Sequence, residues 1–249
     1  RVFAMTGLGA FAEKTVAHEN SVMKIPDTMN FEKAAALPMT YGTSLYALKQ
    51  RAELKEGETL LVLGAAGGVG LATVELGKAM GAKVIAAAST QEKVDLCKKH
   101  GADEVFIYPT GKLDRDQQKE LSSKIKELTG GVGANVVYDP IGDCYSEPCI
   151  RATAWDGRYL VIGFAAGEIP KIPINLALLK GMKIVGVFWG AWVGMNPKEN
   201  KSNFQELFNL HTEGKINPEV SDSFTLENGA SAIAHLKDRK AKGKVIITM

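Results

Sequence analysis

The stretch "LLVLGAAGGVGLATVELGKAMGAKV", Leu60 to Val84, constrains the fold more than any other part of the chain. An apolar run passes through a turn with glycine at 64, 67, 68 and 70 into an amphipathic segment, and a second apolar run begins after Gly81. The pattern predicts a buried strand, a turn whose backbone must come close to something, a helix, and a second strand parallel to the first. Parallel strands joined by helical crossovers need helices on both faces, which makes the chain a layered α/β protein.

The same alternation extends both ways. Apolar strands are expected at 59–63, 83–88, 104–107, 135–138, 159–163 and 183–188, and helices at 71–80, 91–100 and 117–128. Gly81 and Gly101 follow helices directly and suit left-handed caps. Ahead of this region, "RVFAM", "FAEKTVA" and "SVMKIP" suggest a small β meander; Asn30 caps a short helix over 31–37 that Pro38 ends, and a second helix covers 40–54. Beyond Gly190 the alternation stops, leaving expected helices at 203–213 and 228–240 and a strand at 244–248. The alternating signs of the charged stretch from Lys112 to Glu127 indicate a solvated outer face.

Composition narrows the function. A net charge of +2 gives no case for a nucleic-acid or membrane-surface protein, and no apolar window is long enough to span a bilayer. Cys97, Cys144 and Cys149 have neither disulfide-framework nor metal-knuckle spacing, so free thiols in an intracellular compartment, cytoplasmic or mitochondrial, are expected. The chain opens on Arg1, within a strand-like run, and reads as a fragment whose true N-terminus is not visible.

Set on the dinucleotide fingerprint Gly-x-Gly-x-x-Gly, the turn offers Ala65, Gly67 and Gly70. Without a Cβ at Gly67 and Gly68, peptide N–H groups can approach a pyrophosphate, and the N-terminus of the following helix adds positive partial charge. Ala65 would be strained in a left-handed conformation, so the bend belongs at Gly64 or Gly67. Sites selective for NAD place a carboxylate at the end of the second strand; here Ala88, Ser89 and Thr90 stand there, with Lys93 one turn on. A 2′-phosphate would be repelled by an acid and held by hydroxyls and an ammonium, so the expected cofactor is NADP(H), with Ser89 and Lys93 as contacts. Ser89 or Thr90 can also cap the next helix.

The segment "GETLLVLGAAGGVGLATVELGKAMGAKV" closely resembles the quinone oxidoreductase (ζ-crystallin) branch of the medium-chain dehydrogenase/reductase superfamily, nearest to the group called quinone oxidoreductase-like proteins. Gly57, Glu58, Leu61, Ala65, Ala66, Gly67, Gly68, Gly70 and Lys78 match the branch's signature, while Glu75 stands where Gln is usual. The likeness continues through "AAALPMTYGTSLYAL", "VVYDPIGD", "YLVIGFAAG", "VGVFWG" and "GKVIITM". It implies a six-stranded Rossmann sheet over 36–189 that binds NADPH, flanked by part of a GroES-like barrel over 1–35 and 190–249 whose N-terminal half is not in the sequence. It also implies that Thr40 and Thr43 lie near the nicotinamide, that Ala66, Gly67, Gly68 and Val69 hold the cofactor, and that the loops at Ile141, Gly142, Gly163, Phe164, Phe188 and Gly190 border it. A homodimer paired through the sixth strand is implied as well.

From Thr28 to Glu56 there is neither Cys nor His, and the four histidines show no ligand spacing, so no metal site is expected. Zinc is dispensable for a conjugated acceptor, because hydride addition leaves a delocalised phenolate or enolate. Tyr41 is a candidate proton donor, with packing as its other role. Trp189, Trp192 and Met195 are candidates for an acceptor wall or a subunit contact. The basic run "KDRKAKGK" (237–244) caps a helix, with RNA or a cofactor phosphate as other partners to weigh. The expected function is NADPH-dependent, zinc-free reduction of a quinone or α,β-unsaturated carbonyl by hydride or electron transfer. The alternative is an NADPH-binding protein without turnover, acting as a redox sensor or RNA-binding module.

Overall fold

A computed structural model describes residues 1–238 and 240–249. In chain order the elements are β1 (Val2–Ala4), β2 (Val22–Lys24), α1 (Phe31–Tyr46), β3 (Thr59–Val62), α2 (Gly68–Ala79), β4 (Lys83–Ala88), α3 (Gln91–Lys99), β5 (Glu104–Ile107) and α4 (Arg115–Leu128). They continue as β6 (Ala134–Asp139), α5 (Ser146–Arg151), β7 (Thr153–Val161), α6 (Asn175–Lys180), β8 (Lys183–Gly186), α7 (Trp189–Met195), α8 (Pro197–Thr212), β9 (Val220–Thr225), α9 (Gly229–Lys237) and β10 (Lys244–Thr248).

Six strands form one parallel sheet in the order β5-β4-β3-β6-β7-β8. Successive side chains alternate between its faces. Leu60, Val62, Val84, Ala86, Val136 and Tyr138 join one buried cluster, while Leu61, Leu63, Ile85, Ala87 and Val137 join the other. Both faces are therefore dry, as the unbroken apolar runs require. The order reverses direction between β3 and β6, so the loops after these two strands diverge and leave a crevice at the C-terminal edge.

Pro38 sits inside α1 and does not end it. An internal proline costs about 3 kcal/mol, but Leu37, Tyr41, Leu45 and Leu48 are almost wholly buried along this helix and its continuation, each contributing roughly 1.5–3 kcal/mol. Burial outweighs the local penalty, and the two expected helices merge; the helix runs unbroken past residue 35. Asn30 caps it as expected, accepting from Lys33 N at 2.8 Å.

Outside the sheet, β1 pairs antiparallel with β2, and β9 pairs parallel with β10. "FAEKTVA" forms no strand. α7 and α8 pack on α1: Trp192 stacks on Tyr46 with centroids 4.6 Å apart, and Trp189 lies against Phe204 at 6.3 Å. Trp189 and Trp192 are thus core residues, and of the expected aromatic and methionine wall only Met195 is exposed.

Gly70 sets how far α2 descends onto the turn, because a Cβ there would meet Gly64 O at 2.4 Å and Ala65 Cα at 2.7 Å. Gly70→Ala is expected to destabilise the protein by about 2–3 kcal/mol in urea titration, the overpacking range. Gly194→Ala, on an exposed helical position with no atom within 4 Å of the new methyl, should be neutral or stabilising by roughly 0.4–1 kcal/mol.

Candidate functional site

The turn after β3 bends at Gly64, the left-handed residue at φ +56, and Ala65 is spared that strain. Gly67 N donates to Gly64 O at 2.9 Å, closing the turn, and Leu71 N donates to Gly67 O at 2.8 Å, opening α2. No side chain caps this helix. Gly64, Ala66, Gly67 and Gly68 line a crevice of about 990 Å³, so the uncapped amides stand at its edge.

Around that turn the crevice collects Ala88, Ser89 and Lys93 after β4, Tyr108 and Lys112 after β5, and Ile141 and Asp143 after β6. Thr90 caps α3, accepting from Lys93 N at 3.4 Å, which leaves Ser89 to face the crevice. The C-terminal segment supplies the opposite wall through Leu236, Lys237, Ala241 and Gly243. Gly243 N donates to Ala66 O at 3.0 Å, and Gly243 pairs with Gly67 in a single parallel bridge. Lys244 follows, its Cδ 3.2 Å from where a Gly68 Cβ would lie, and burial lowers the pKa of its ammonium. Among the described residues, Lys93, Lys112 and Lys237 thus line the crevice against one carboxylate, Asp143.

The loop after β6 is held from below by Asp139, a carboxylate only 1% exposed. Its Oδ1 accepts from Ile141 N at 2.7 Å and Gly142 N at 2.9 Å. Oδ2 accepts from Ser146 Oγ at 2.8 Å and from the Tyr159 hydroxyl. Burial, then the Asp139 charge, raise the Tyr159 phenol, so it stays a donor. So fixed, Ile141 packs over Gly64: a Cβ on Gly64 would meet Ile141 Cδ1 at 2.6 Å. Gly142 is left-handed at φ +73 and lies against Phe164, 2.9 Å from its added Cβ to Phe164 Cδ1.

Ala66, Gly67, Gly68, Ser89, Lys93 and Ile141 line the crevice together. Thr40 is buried behind it, its Oγ1 donating to Ala36 O at 2.8 Å and its Cγ2 facing Gly68. Val69 is tied to α1, its carbonyl accepting from Ser44 Oγ at 3.0 Å; Thr43 is half-buried on the same helix. Phe188, 77% exposed, and the exposed Gly190 stand at the start of α7, away from the crevice lining. Tyr41 corrects the expectation of a proton donor: its hydroxyl donates to Glu75 Oε2 at 2.5 Å inside the core.

Several crevice residues are not among the expected site residues, Tyr108, Lys112 and Gly243 among them. Tyr108 follows β5, and Lys112, grouped with the solvated helix by its charge pattern, lies ahead of α4 on the crevice rim. Gly243 is invisible to local pattern because it meets the turn through tertiary folding alone. Of the basic run, Lys237 lines the crevice, Lys242 pairs with Glu92, and Arg239 lies outside the described residues. Among the described residues there is no group of three or more His, Cys, Asp or Glu that could hold a metal, and no helix is long and apolar enough to cross a membrane.

The family model for zinc-binding dehydrogenase matches residues 68–211, more than half the chain. The chain belongs to the quinone oxidoreductase branch of the medium-chain dehydrogenase/reductases. It is 37% identical to a quinone oxidoreductase-like protein 2 homolog of Nematostella vectensis, over 99% of this chain and 66% of that protein. To quinone oxidoreductase-like protein 2 of Bos taurus it is 36% identical, over all of this chain and 69% of the relative. It therefore spans about two thirds of the length of these relatives. Among solved structures, Escherichia coli quinone oxidoreductase complexed with NADPH superposes with a TM-score of 0.87 at 27% identity, covering 100% of this chain and 75% of that one.

Asp139→Asn turns one of two accepting oxygens into an NH₂ donor, so two of the four groups now donating to the carboxylate lose their acceptor as they stand. Each buried donor left unpaired costs about 1–3 kcal/mol, so a loss of roughly 2–4 kcal/mol in urea titration is expected. An unchanged midpoint would remove the anchoring role.

Proposed function

We propose that this protein reduces quinones or α,β-unsaturated carbonyls with NADPH, without zinc. The observation that carries the proposal is the crevice at the sheet's switch point, where the end of β4 presents Ala88, Ser89 and Lys93 in place of a carboxylate. Lys112 and Lys237 add to the cationic lining. The crevice has room for a dinucleotide, and the turn offers backbone where a Cβ would otherwise stand. The Escherichia coli relative, of the same fold, is complexed with NADPH.

In this reading Gly67, Gly68 and the N-terminus of α2 hold the pyrophosphate, and Ser89 and Lys93 hold the 2′-phosphate. Ala66, Val69, Ile141, Gly142, Gly163 and Phe164 border the cofactor, and Thr40, Thr43, Phe188 and Gly190 belong to its nicotinamide half. When bound, the dihydronicotinamide supplies a hydride. The protein's part is to orient the two reactants and exclude water. A conjugated acceptor spreads the resulting charge, which removes the need for a metal, and the described residues contribute no ligand set for one. Tyr41 has no role in the chemistry, since its proton is committed to Glu75.

Residues 1–35 and 190–249 form part of the substrate domain, with the Rossmann unit between them. The protein is a homodimer paired along β8. Among the described residues no strand pairs beyond that edge, which is flanked by Leu178, Leu179 and Phe188, each more than 60% exposed. A second copy would cover these side chains and the open backbone edge.

Steady-state assays with NADPH and either a naphthoquinone or a 2-alkenal should show turnover, with NADPH preferred to NADH. Lys93→Glu should weaken NADPH by about 10–100-fold, the value of a charge-assisted contact, and leave NADH nearly unchanged. Inactivity toward both acceptors, or equal effects on the two cofactors, would defeat the reading. Light scattering should give twice the chain mass; a monomer throughout the micromolar range would exclude the dimer.

A further inference from the structure

Glu75, midway along α2, is a carboxylate only 5% exposed. Its Oε2 accepts from the Tyr41 hydroxyl at 2.5 Å and from the Asn217 amide at 3.0 Å, while Oε1 lies 2.7 Å from His100 Nδ1. On the far side of the ring, His100 Nε2 faces Glu219 Oε2 at 3.4 Å, an ion-pair separation without hydrogen-bond alignment. The side chains of His100 and Glu75 are both 6% exposed. None of these groups lines the crevice.

Oε2 takes two donors, and burial, followed by the Glu75 charge, raises the Tyr41 phenol well above its ordinary value and keeps it a donor. The His100 ring lies between two carboxylates, Nδ1 against Glu75 Oε1 and Nε2 toward Glu219 Oε2. Other charges nearby are committed elsewhere or face outward: Lys78 on α2 is paired with Asp103 at 2.7 Å, and Lys98 donates to Asp103 O. Lys99, Asp222, His235 and Lys242 line the outer groove with Glu219.

The cluster holds the C-terminal wall of the crevice. Asn217 and Glu219 belong to the segment ahead of β9, and Glu219 O accepts from Lys244 N at 2.9 Å. That bond sets Gly243 against Gly67 and lays the stem of Lys244 on Gly68. We propose that Glu75, His100 and Glu219 are positioning residues: the Glu75 carboxylate, directly on the Asn217 amide and by way of His100 on Glu219, fastens residues 217–219, and through them Gly243 and Lys244, to the glycine turn. Order in this wall, and affinity for the cofactor phosphates, depend on that fastening. The affinity part rests on the crevice being an NADPH site; the ordering part does not.

The test is amide hydrogen exchange on the full chain without ligand, with peptides covering 217–219 and 243–244. Glu75→Gln, His100→Gln and the more exposed Glu219→Gln should each lose about tenfold in protection there and little in the peptides of β3 and β4, with thermal melts confirming that the variants fold. Wild-type protection of this wall in all three variants, or a loss spread evenly over the sheet, would overturn the proposal. A fluorescence titration with NADPH should then show weaker binding in the variants than in the wild type. Equal affinity would overturn the link to the crevice. An absence of NADPH binding in the wild type would defeat the cofactor reading and that link together, leaving the exchange result to decide the positioning role.

Discussion

The descent of α2 onto the end of β3 governs the geometry of everything around the crevice. A helix this close leaves no space for a side chain where Gly70 faces Gly64 and Ala65, or where Gly77 faces Leu60, whose Cδ2 would be 2.6 Å from an added Cβ. At Gly70 the contact is backbone against backbone, and its geometry is stiff in a way side-chain packing is not. The uncapped helix end, the left-handed bend at Gly64 and the seat for Ile141 all follow from that one approach.

Charge in this protein is arranged by depth. At the crevice, lysines stand around uncapped helical amides with little opposing acid, a field suited to an anion. Beneath it, carboxylates are buried and fully engaged. Asp139 accepts four hydrogen bonds and holds the loop after β6, while Glu75 accepts from Tyr41 and Asn217 and faces the ring of His100. Neither acid is free for chemistry. Each ties a wall of the crevice to the sheet, one wall from within the Rossmann unit and the other from the C-terminal segment. Buried charges are tolerated only when so completely partnered, which makes these two anchors costly to alter.

Local patterns located β4 and β5 to the residue and most helix starts within three residues, since both sheet faces are buried and the strands read as apolar runs between glycine caps. The same patterns failed at Pro38, where the burial of Leu37, Tyr41, Leu45 and Leu48 overrode the local preference of proline. β9 leaves no such pattern, because "VSDSFT" has little apolar character and owes its pairing to β10. The neighbours of Tyr41 in the chain say nothing of its partner Glu75, thirty-four residues away. The charge pattern sets Lys112 with the helix it precedes, and only the fold turns it toward the crevice.

The residues alone were enough to establish the layered parallel sheet, the glycine turn and the missing acid after β4, because each depends on neighbours within a turn or a strand. The assembly of the crevice from five separate loops, the C-terminal segment as its far wall, and the pairing of Glu75 with His100 emerged only on folding. These contacts join positions far apart in the chain, and no short-range period encodes which distant groups will share one buried volume.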